Sequence, residues 1–221
     1  MHASETMAKR IDPSLLPAFP TLAFEQQFWA QGLSAIAGID EAGRGALAGP
    51  VYAAAVVLPN DSTTAAALSG VRDSKEMTAK QRSIWAGEIR QVASHWSVGS
   101  ASSAYIDSYG IMPATRLASM RALKALSLEV DHLLIDALKL FECAIPQTML
   151  IKGDMRSLSI AAASVLAKVE RDAELQSLDK HFPDYGFAQH KGYGTLAHRK
   201  AITKKGPISA HRLSFAPMRY L

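Results

Sequence analysis

A single cysteine in 221 residues, Cys143, excludes an internal disulfide. Such a chain suits a reducing compartment, and Cys143, set in an apolar stretch, reads as a small core residue. No apolar run is long enough to span a bilayer. The first residues lack the apolar centre of a secretory leader. The expectation is therefore a cytoplasmic protein that does not act at a membrane. There is no GxxxxGKS/T phosphate loop, no internal repeat and no low-complexity block. The histidines show no metal-ligand spacing, so a zinc centre built on His and Cys is not expected.

Charge is moderate. Lys and Arg number 24 against 20 Asp and Glu, a net +4. That favours polyanionic partners only weakly, because many basic globular proteins bind no nucleic acid. Apolar residues make up 48% of the chain, enough for a real core in one large domain or a domain with a small appendage.

The most informative segment is Asp40-Glu41-Ala42-Gly43-Arg44-Gly45, which closes the apolar run 34–39. Two adjacent acids stand where a buried strand should end, and a turn with glycine on both sides of an arginine follows. Acids at a strand end suit a hard cation. A glycine-rich turn lets backbone N–H groups approach a sugar or phosphate. The same turn read alone is an ordinary tight turn. Adjacent strand residues point to opposite faces, so Asp40 and Glu41 share one site only if the strand ends or bulges between them.

Hydrophobic periodicity places helices over 21–32, 78–93, 113–128, 157–178 and 195–204 and strands over 35–40, 51–58, 95–101, 132–136 and 148–151. Thr78 and Gln81 form a capping-box pattern, Pro113 suits a first helical turn, and Thr195 suits an N-cap. Glycines and Pro50 between the first two strands predict a hairpin-like return. The sum is an α/β domain with a mixed sheet. Residues 1–22, punctuated by prolines, read as a loosely ordered lead-in, and the part after about 174 as a small helical C-terminal extension.

Asp136 repeats the arrangement of Asp40, an acid at the mouth of an apolar strand. If the two strands are neighbours, their ends lie roughly 5 Å apart, close enough for two carboxylates to share a cation. Asp154 follows another strand and precedes a helix. Four strand-end acids without a His or Cys cluster favour Mg²⁺ or Mn²⁺. Taken singly, Asp136 reads first as a solvated turn acid, and Asp154 as a helix N-terminal acid. Asp73, Asp107, Asp131 and Asp184 read as loop or cap acids. Tyr193, between glycines and beside Lys191, fits either a stacking platform or a turn tyrosine packed on its own domain. Lys75, Lys152, Lys168, Lys191, Arg171 and Arg212 are candidates for phosphate contact. Lys168 and Arg171 fit equally well as partners of Glu170, Asp172 or Glu174, and His211 as a packing residue.

Together the segments IAGIDEAGRG (36–45), LAGPV (47–51), DSKEMT (73–78), LLID (133–136), IKGD (151–154), SIAAASVLAKVERD (159–172), YGFAQHKGYGT (185–195) and HRLSF (211–215) resemble the bacterial ribonuclease HII family, the type 2 ribonucleases H. The resemblance runs from about 22 to 215. It implies a ribonuclease H-like fold with a helical C-terminal extension, and cleavage of RNA in RNA–DNA hybrids and at single ribonucleotides in duplex DNA. It also implies that Asp40, Glu41, Asp136 and Asp154 are the catalytic and metal-binding carboxylates. Gly43, Arg44 and Gly45 would read the ribose 2′-hydroxyl, and Tyr193 would stack on the neighbouring sugar. The chain departs from the family in having Ala46 where proline is usual and Ala137 where a glycine commonly follows the third acid.

The mechanism expected on that basis uses two Mg²⁺ or Mn²⁺ ions roughly 4 Å apart, with Asp40 as the bridging ligand, giving a 3′-hydroxyl and a 5′-phosphate. Lys75 and Lys152 would add substrate contacts, and the protein would act as a monomer. The rival readings are another nuclease or strand transferase with an acid-rimmed sheet, and a non-catalytic binder of hybrid duplexes.

Overall fold

The computed structural model describes residue 12 and residues 16–218. Most of the expected lead-in, 1–11 and 13–15, lies outside the described residues. Five strands form one mixed sheet: β1 (Ile36–Ala42), β2 (Val51–Val57), β3 (His95–Ala101), β4 (His132–Asp136) and β5 (Gln147–Leu150), in the order β3-β2-β1-β4-β5. The β1–β2 and β2–β3 pairs are antiparallel. The β1–β4 and β4–β5 pairs are parallel. The expected return after Gly43 is the β1–β2 connection.

Among the described residues the α-helices are α1 (Ala23–Trp29), α2 (Thr64–Ala67), α3 (Ala79–Val92), α4 (Ser103–Tyr109), α5 (Ile111–Ala125), α6 (Leu158–His181), α7 (Phe187–His190) and α8 (Leu196–Lys205). The predicted capping box at Thr78 and Gln81 is present, and Thr195 caps α8. The short helices α2, α4 and α7 were not predicted. Their four to seven residues are too few to display a 3.6-residue period. Among the described residues, no helix is long and apolar enough to cross a membrane.

Helix α5 covers one face of the sheet and α6 the other. The first ten residues of α6 (158–167) are buried almost all round, because the sheet lies on one side and α3 on the other. Small residues allow this closeness. Gly38 of β1 lies against the backbone of Ser159 and Ile160, where a Cβ would overlap main-chain atoms. Glu25, fully buried, holds the N-terminus of α6 by accepting from Ser157 Oγ and Ser159 Oγ, both at 2.6 Å, and from Ser159 N at 3.0 Å. A carboxylate there also opposes the positive end of the helix dipole. Towards the C-terminus, Leu175, Tyr185, Phe187, Ile202 and Met218 pack around Leu47 and Ala48. The last third of the chain is thereby seated on the turn that follows β1.

Candidate active site

The parallel register pairs Ile39 with Ile135, so Asp40 and Asp136 come next on adjacent strands and project to the same face. Asp154 follows β5 in a 3-10 turn, Gly153–Met155. Carboxylate oxygens of Asp40, Asp136 and Asp154 lie within 4.8 Å of one another. Three acids separated by up to 114 positions therefore converge. Asp40 Oδ1 accepts from the Glu41 amide at 2.7 Å, and Asp136 Oδ1 from the Gly153 amide at 2.7 Å.

Glu41 does not join that trio. The strand neither ends nor bulges after Asp40: it continues to Ala42, with Glu41 paired to Ala53 and Ala42 to Tyr52. Strand alternation then sends Asp40 to the α6 face and Glu41 to the α5 face. There Glu41 Oε1 accepts from Arg44 Nη1 at 3.0 Å, and Arg44 Nη2 reaches Met112 Sδ of α5 at 3.2 Å. Glu41 still lines the same cleft, a cavity of about 510 Å³ shared with Asp40, Gly43, Arg44, Gly45, Lys75, Asp136 and Tyr193.

The trio is electrostatically strained. Burial, then the charges of Glu41, Asp136 and Asp154, push the Asp40 carboxyl well above its ordinary range. Burial also raises Asp136, against the opposing effect of the Gly153 N–H. Asp154 is pushed up to about 6 by burial and by Asp73 and Asp136, with Lys75 opposing. Lys75 Nζ lies 3.5 Å from Asp154 and 3.7 Å from Asp73. Partial burial alone would lower its pKa, but Asp73, Asp154 and Asp40 together outweigh that and hold the ammonium above its usual range. One exposed lysine does not neutralise three clustered carboxylates. The oxygen-only donor set is that of a hard divalent cation.

The two glycines of the turn differ. Gly43 has φ +94°, and a Cβ there would fall on the Arg171 guanidinium. Gly45 has neither a positive φ nor any atom within 4 Å of a Cβ position. Gly45 also lines the cleft, so a ligand backbone has room to come close there.

Tyr193 is 37% exposed. Lys168 Nζ and Arg171 Cζ lie 5.5 and 5.4 Å from its ring centroid, and Tyr193 is part of the cleft lining. Arg171 and Arg212 are not phosphate ligands. Both are fully buried, and their guanidinium groups donate to carbonyls: Arg171 to Pro50, Lys191 and Ala48, Arg212 to Gly49 and Arg44. Fork-shaped donors satisfy carbonyls of irregular chain that no strand or helix serves. Lys168 pairs with Asp172 at 2.6 Å, as its helical spacing allows. The Lys191 ammonium bonds the Ala188 carbonyl. Lys152 is exposed in the turn before Asp154, at φ +53°, and is not part of the cleft lining.

Two contributors escaped sequence reasoning. Gly153 clamps Asp136 through its N–H, and a Cβ on it would crowd Ile160 and Leu150. Ser74 lines the cleft and bonds Ser164 of α6 at 2.8 Å. Gly153 lay in a quoted motif, but nothing in the motif signals which carboxylate its amide meets.

The family model for ribonuclease HII matches residues 37–218. A ribonuclease HII from Synechococcus sp. is 52% identical over 202 residues, covering 91% of this chain and 90% of that protein. Among solved structures, the ribonuclease H2 of Pyrococcus horikoshii superposes with a TM-score of 0.70 at 22% identity, over 84% of this chain and 95% of that one. Bst-RNase HIII in complex with Mn²⁺ superposes with a TM-score of 0.63 at 21% identity, over 86% and 70%. These two likenesses carry the ribonuclease H-like fold.

Proposed function

The chain belongs to the ribonuclease HII family, enzymes that cleave RNA in RNA–DNA hybrids, and from that premise we propose that it also cuts duplex DNA on the 5′ side of a single embedded ribonucleotide. The products would be a 3′-hydroxyl and a 5′-phosphate. The observation that carries this reading is the convergence of Asp40, Asp136 and Asp154 at a cleft that Asp40 and Asp136 line together with the Gly43–Gly45 turn and Tyr193.

The residues fit divalent cations. All donors are hard oxygens, and the mutual repulsion that raises the three carboxyls is what a bound cation relieves. Asp40, Asp136 and Asp154 would hold Mg²⁺ or Mn²⁺, two ions during catalysis. Glu41 would join as fourth ligand once its ion pair with Arg44 opens. Such ions, when bound, supply an activated water for in-line attack at phosphorus and charge stabilisation for the departing 3′-oxygen.

The chain's own groups supply the selection. Gly45 gives the ribose edge room to reach backbone N–H groups. Polar groups aimed at a 2′-hydroxyl are left unpaired against a deoxynucleotide, which is a strong source of discrimination. Tyr193 would stack on the adjoining sugar, and Lys75, beside the acids, would hold a backbone phosphate. Lys152, exposed before Asp154, would meet a phosphate further out. Because one chain carries both the acids and the ribose reader, the reading includes a monomeric enzyme, acting in the cytoplasm.

Incubation with a duplex carrying one ribonucleotide, with and without Mg²⁺, tests the proposal. Metal-dependent cutting 5′ of the ribonucleotide is expected. Comparable cutting of all-DNA duplex would overturn it in favour of a general nuclease, and hybrid binding with no cutting in Mg²⁺ or Mn²⁺ in favour of a non-catalytic binder.

A further inference from the structure

Three histidines outside the acid corner hold the Tyr193 loop. His190 and His198 stack with ring centroids 4.3 Å apart, and His211 lies 5.3 Å beyond His198. His198 and His211 are fully or almost fully buried. Their partners assign their tautomers. The Ile208 N–H donates to His211 Nδ1 at 2.9 Å, so His211 carries its proton on Nε2. That N–H faces His198 Nε2 at 3.1 Å, which must accept. His198 therefore carries its proton on Nδ1 and donates to the Tyr193 carbonyl at 3.0 Å. On the other side the Gly192 N–H donates to His190 Nδ1 at 3.2 Å, and His190 Nε2 donates to the Tyr185 carbonyl at 2.7 Å.

Every link runs one way and ends on a named carbonyl of the loop. An imidazolium has no acceptor and would break the chain. Burial lowers His198 to about 4 and His211 below its ordinary value, so both are neutral at physiological pH. The other titratable groups facing them are His190 and Tyr185, whose hydroxyl bonds the Gly206 carbonyl at 2.7 Å.

His211 also sits where the C-terminal segment grips the turn after β1. It forms an isolated bridge with Ala48, and the adjacent Arg212 bonds the carbonyls of Gly49 and Arg44. We propose that His211 and His198 are positioning residues, whose directed relay pins the Tyr193 carbonyl and so couples the tyrosine ring to the Gly43–Gly45 turn as one rigid ribose reader. This rests on the reading of Tyr193 as the stacking residue.

The test measures kcat and KM on a duplex with one ribonucleotide in Mg²⁺, alongside ¹⁵N imidazole spectra of the unmodified protein. His198→Leu and His211→Phe remove the relay and should each lower kcat/KM about tenfold. His198→Asn keeps a donor near the Nδ1 position and should stay within about threefold of the parent. In a Tyr193→Ala background, His198→Leu should add nothing further, because coupled residues are non-additive. The spectra should show His198 protonated on Nδ1 and His211 on Nε2.

The opposite tautomers, an Asn variant as impaired as Leu, unimpaired Leu and Phe variants, or a His198→Leu loss that adds in full to that of Tyr193→Ala would each overturn the relay. A different outcome, Tyr193→Ala cleaving at the parent rate with the tautomers as assigned, would instead remove the tyrosine's role, and with it what the relay positions. The spectra need no variant, so a His198→Leu protein that fails to fold leaves the proposal open to refutation.

Discussion

The acid corner and the Gly43–Gly45 turn adjoin one cleft but are built on opposite principles. At the corner, like charges are forced together on the rigid end of a sheet, each carboxyl pushed up by burial and by its neighbours. Around the turn, buried arginines and histidines satisfy one carbonyl after another, and Gly43 is moulded to the Arg171 side chain. One region stores repulsion that a cation would relieve. The other has its carbonyls held by buried guanidinium donors. The proposed function, gaining metals and discriminating a single hydroxyl, would use both, since stabilising charge and reading shape call for opposite local energetics.

The largest expected effect breaks the strained half alone. Asp40→Asn should lower cleavage by about a thousandfold or more, an amide being a poor substitute for an anionic ligand. Without divalent cations it should melt no lower than the parent, because it removes a buried charge from a repelling cluster. Added Mn²⁺ should raise the melting temperature of the parent more than that of the variant. Near-normal turnover in Mg²⁺ would remove Asp40 from the role assigned to it.

The two glycines sharpen the other half. Gly43→Ala should cost about 2–4 kcal/mol of stability, combining a left-handed φ with a clash at buried Arg171. Gly45→Ala should leave chemical denaturation unchanged within about 0.5 kcal/mol while reducing the preference for ribonucleotide over all-DNA duplex. Equal destabilisation by both would show that the open side of Gly45 is not reserved for ligand.

A smaller effect is expected from pH. His198, lowered to about 4 from its usual 6.5, is neutral when folded and protonated when unfolded between those values. The unfolded state binds more protons at this residue there, so the contribution of His198 to stability should rise with pH from about 4 to 6.5 and then level off, while the raised carboxyls of the acid corner contribute with the opposite sign. The difference in denaturation midpoint between parent and His198→Leu, which cancels the carboxyl contribution, should therefore grow across that window. The smallest effect concerns Ala137, which adopts φ +43° directly after Asp136. Ala137→Gly should stabilise the fold by about 1 kcal/mol, the strain of a left-handed alanine outweighing the entropy cost of glycine.

Strands and long helices were legible because their signals are local. The strands over 95–101 and 132–136 and the Thr78 capping box lie where periodicity and cap chemistry put them. The parallel pairing that sets Asp40 beside Asp136 was only conditional in sequence, and the register supplies it. Whether Glu41 sits with Asp40 was likewise conditional in sequence, because the two are covalent neighbours whereas the strand's two-residue period, which continues to Ala42, separates their faces. Arg171 and Arg212 resembled surface cations because composition does not reveal which carbonyls of irregular chain will need donors.

The amino-acid sequence alone determined the family, the mixed α/β class and the acids worth suspecting, since motif order and side-chain chemistry are written along the chain. Only the tertiary structure decided which of those acids share a corner, which glycine faces open space, and that the basic residues near Tyr193 are largely internal supports. Those outcomes depend on long-range packing and on the pairing of buried polar groups, which no run of neighbouring residues encodes.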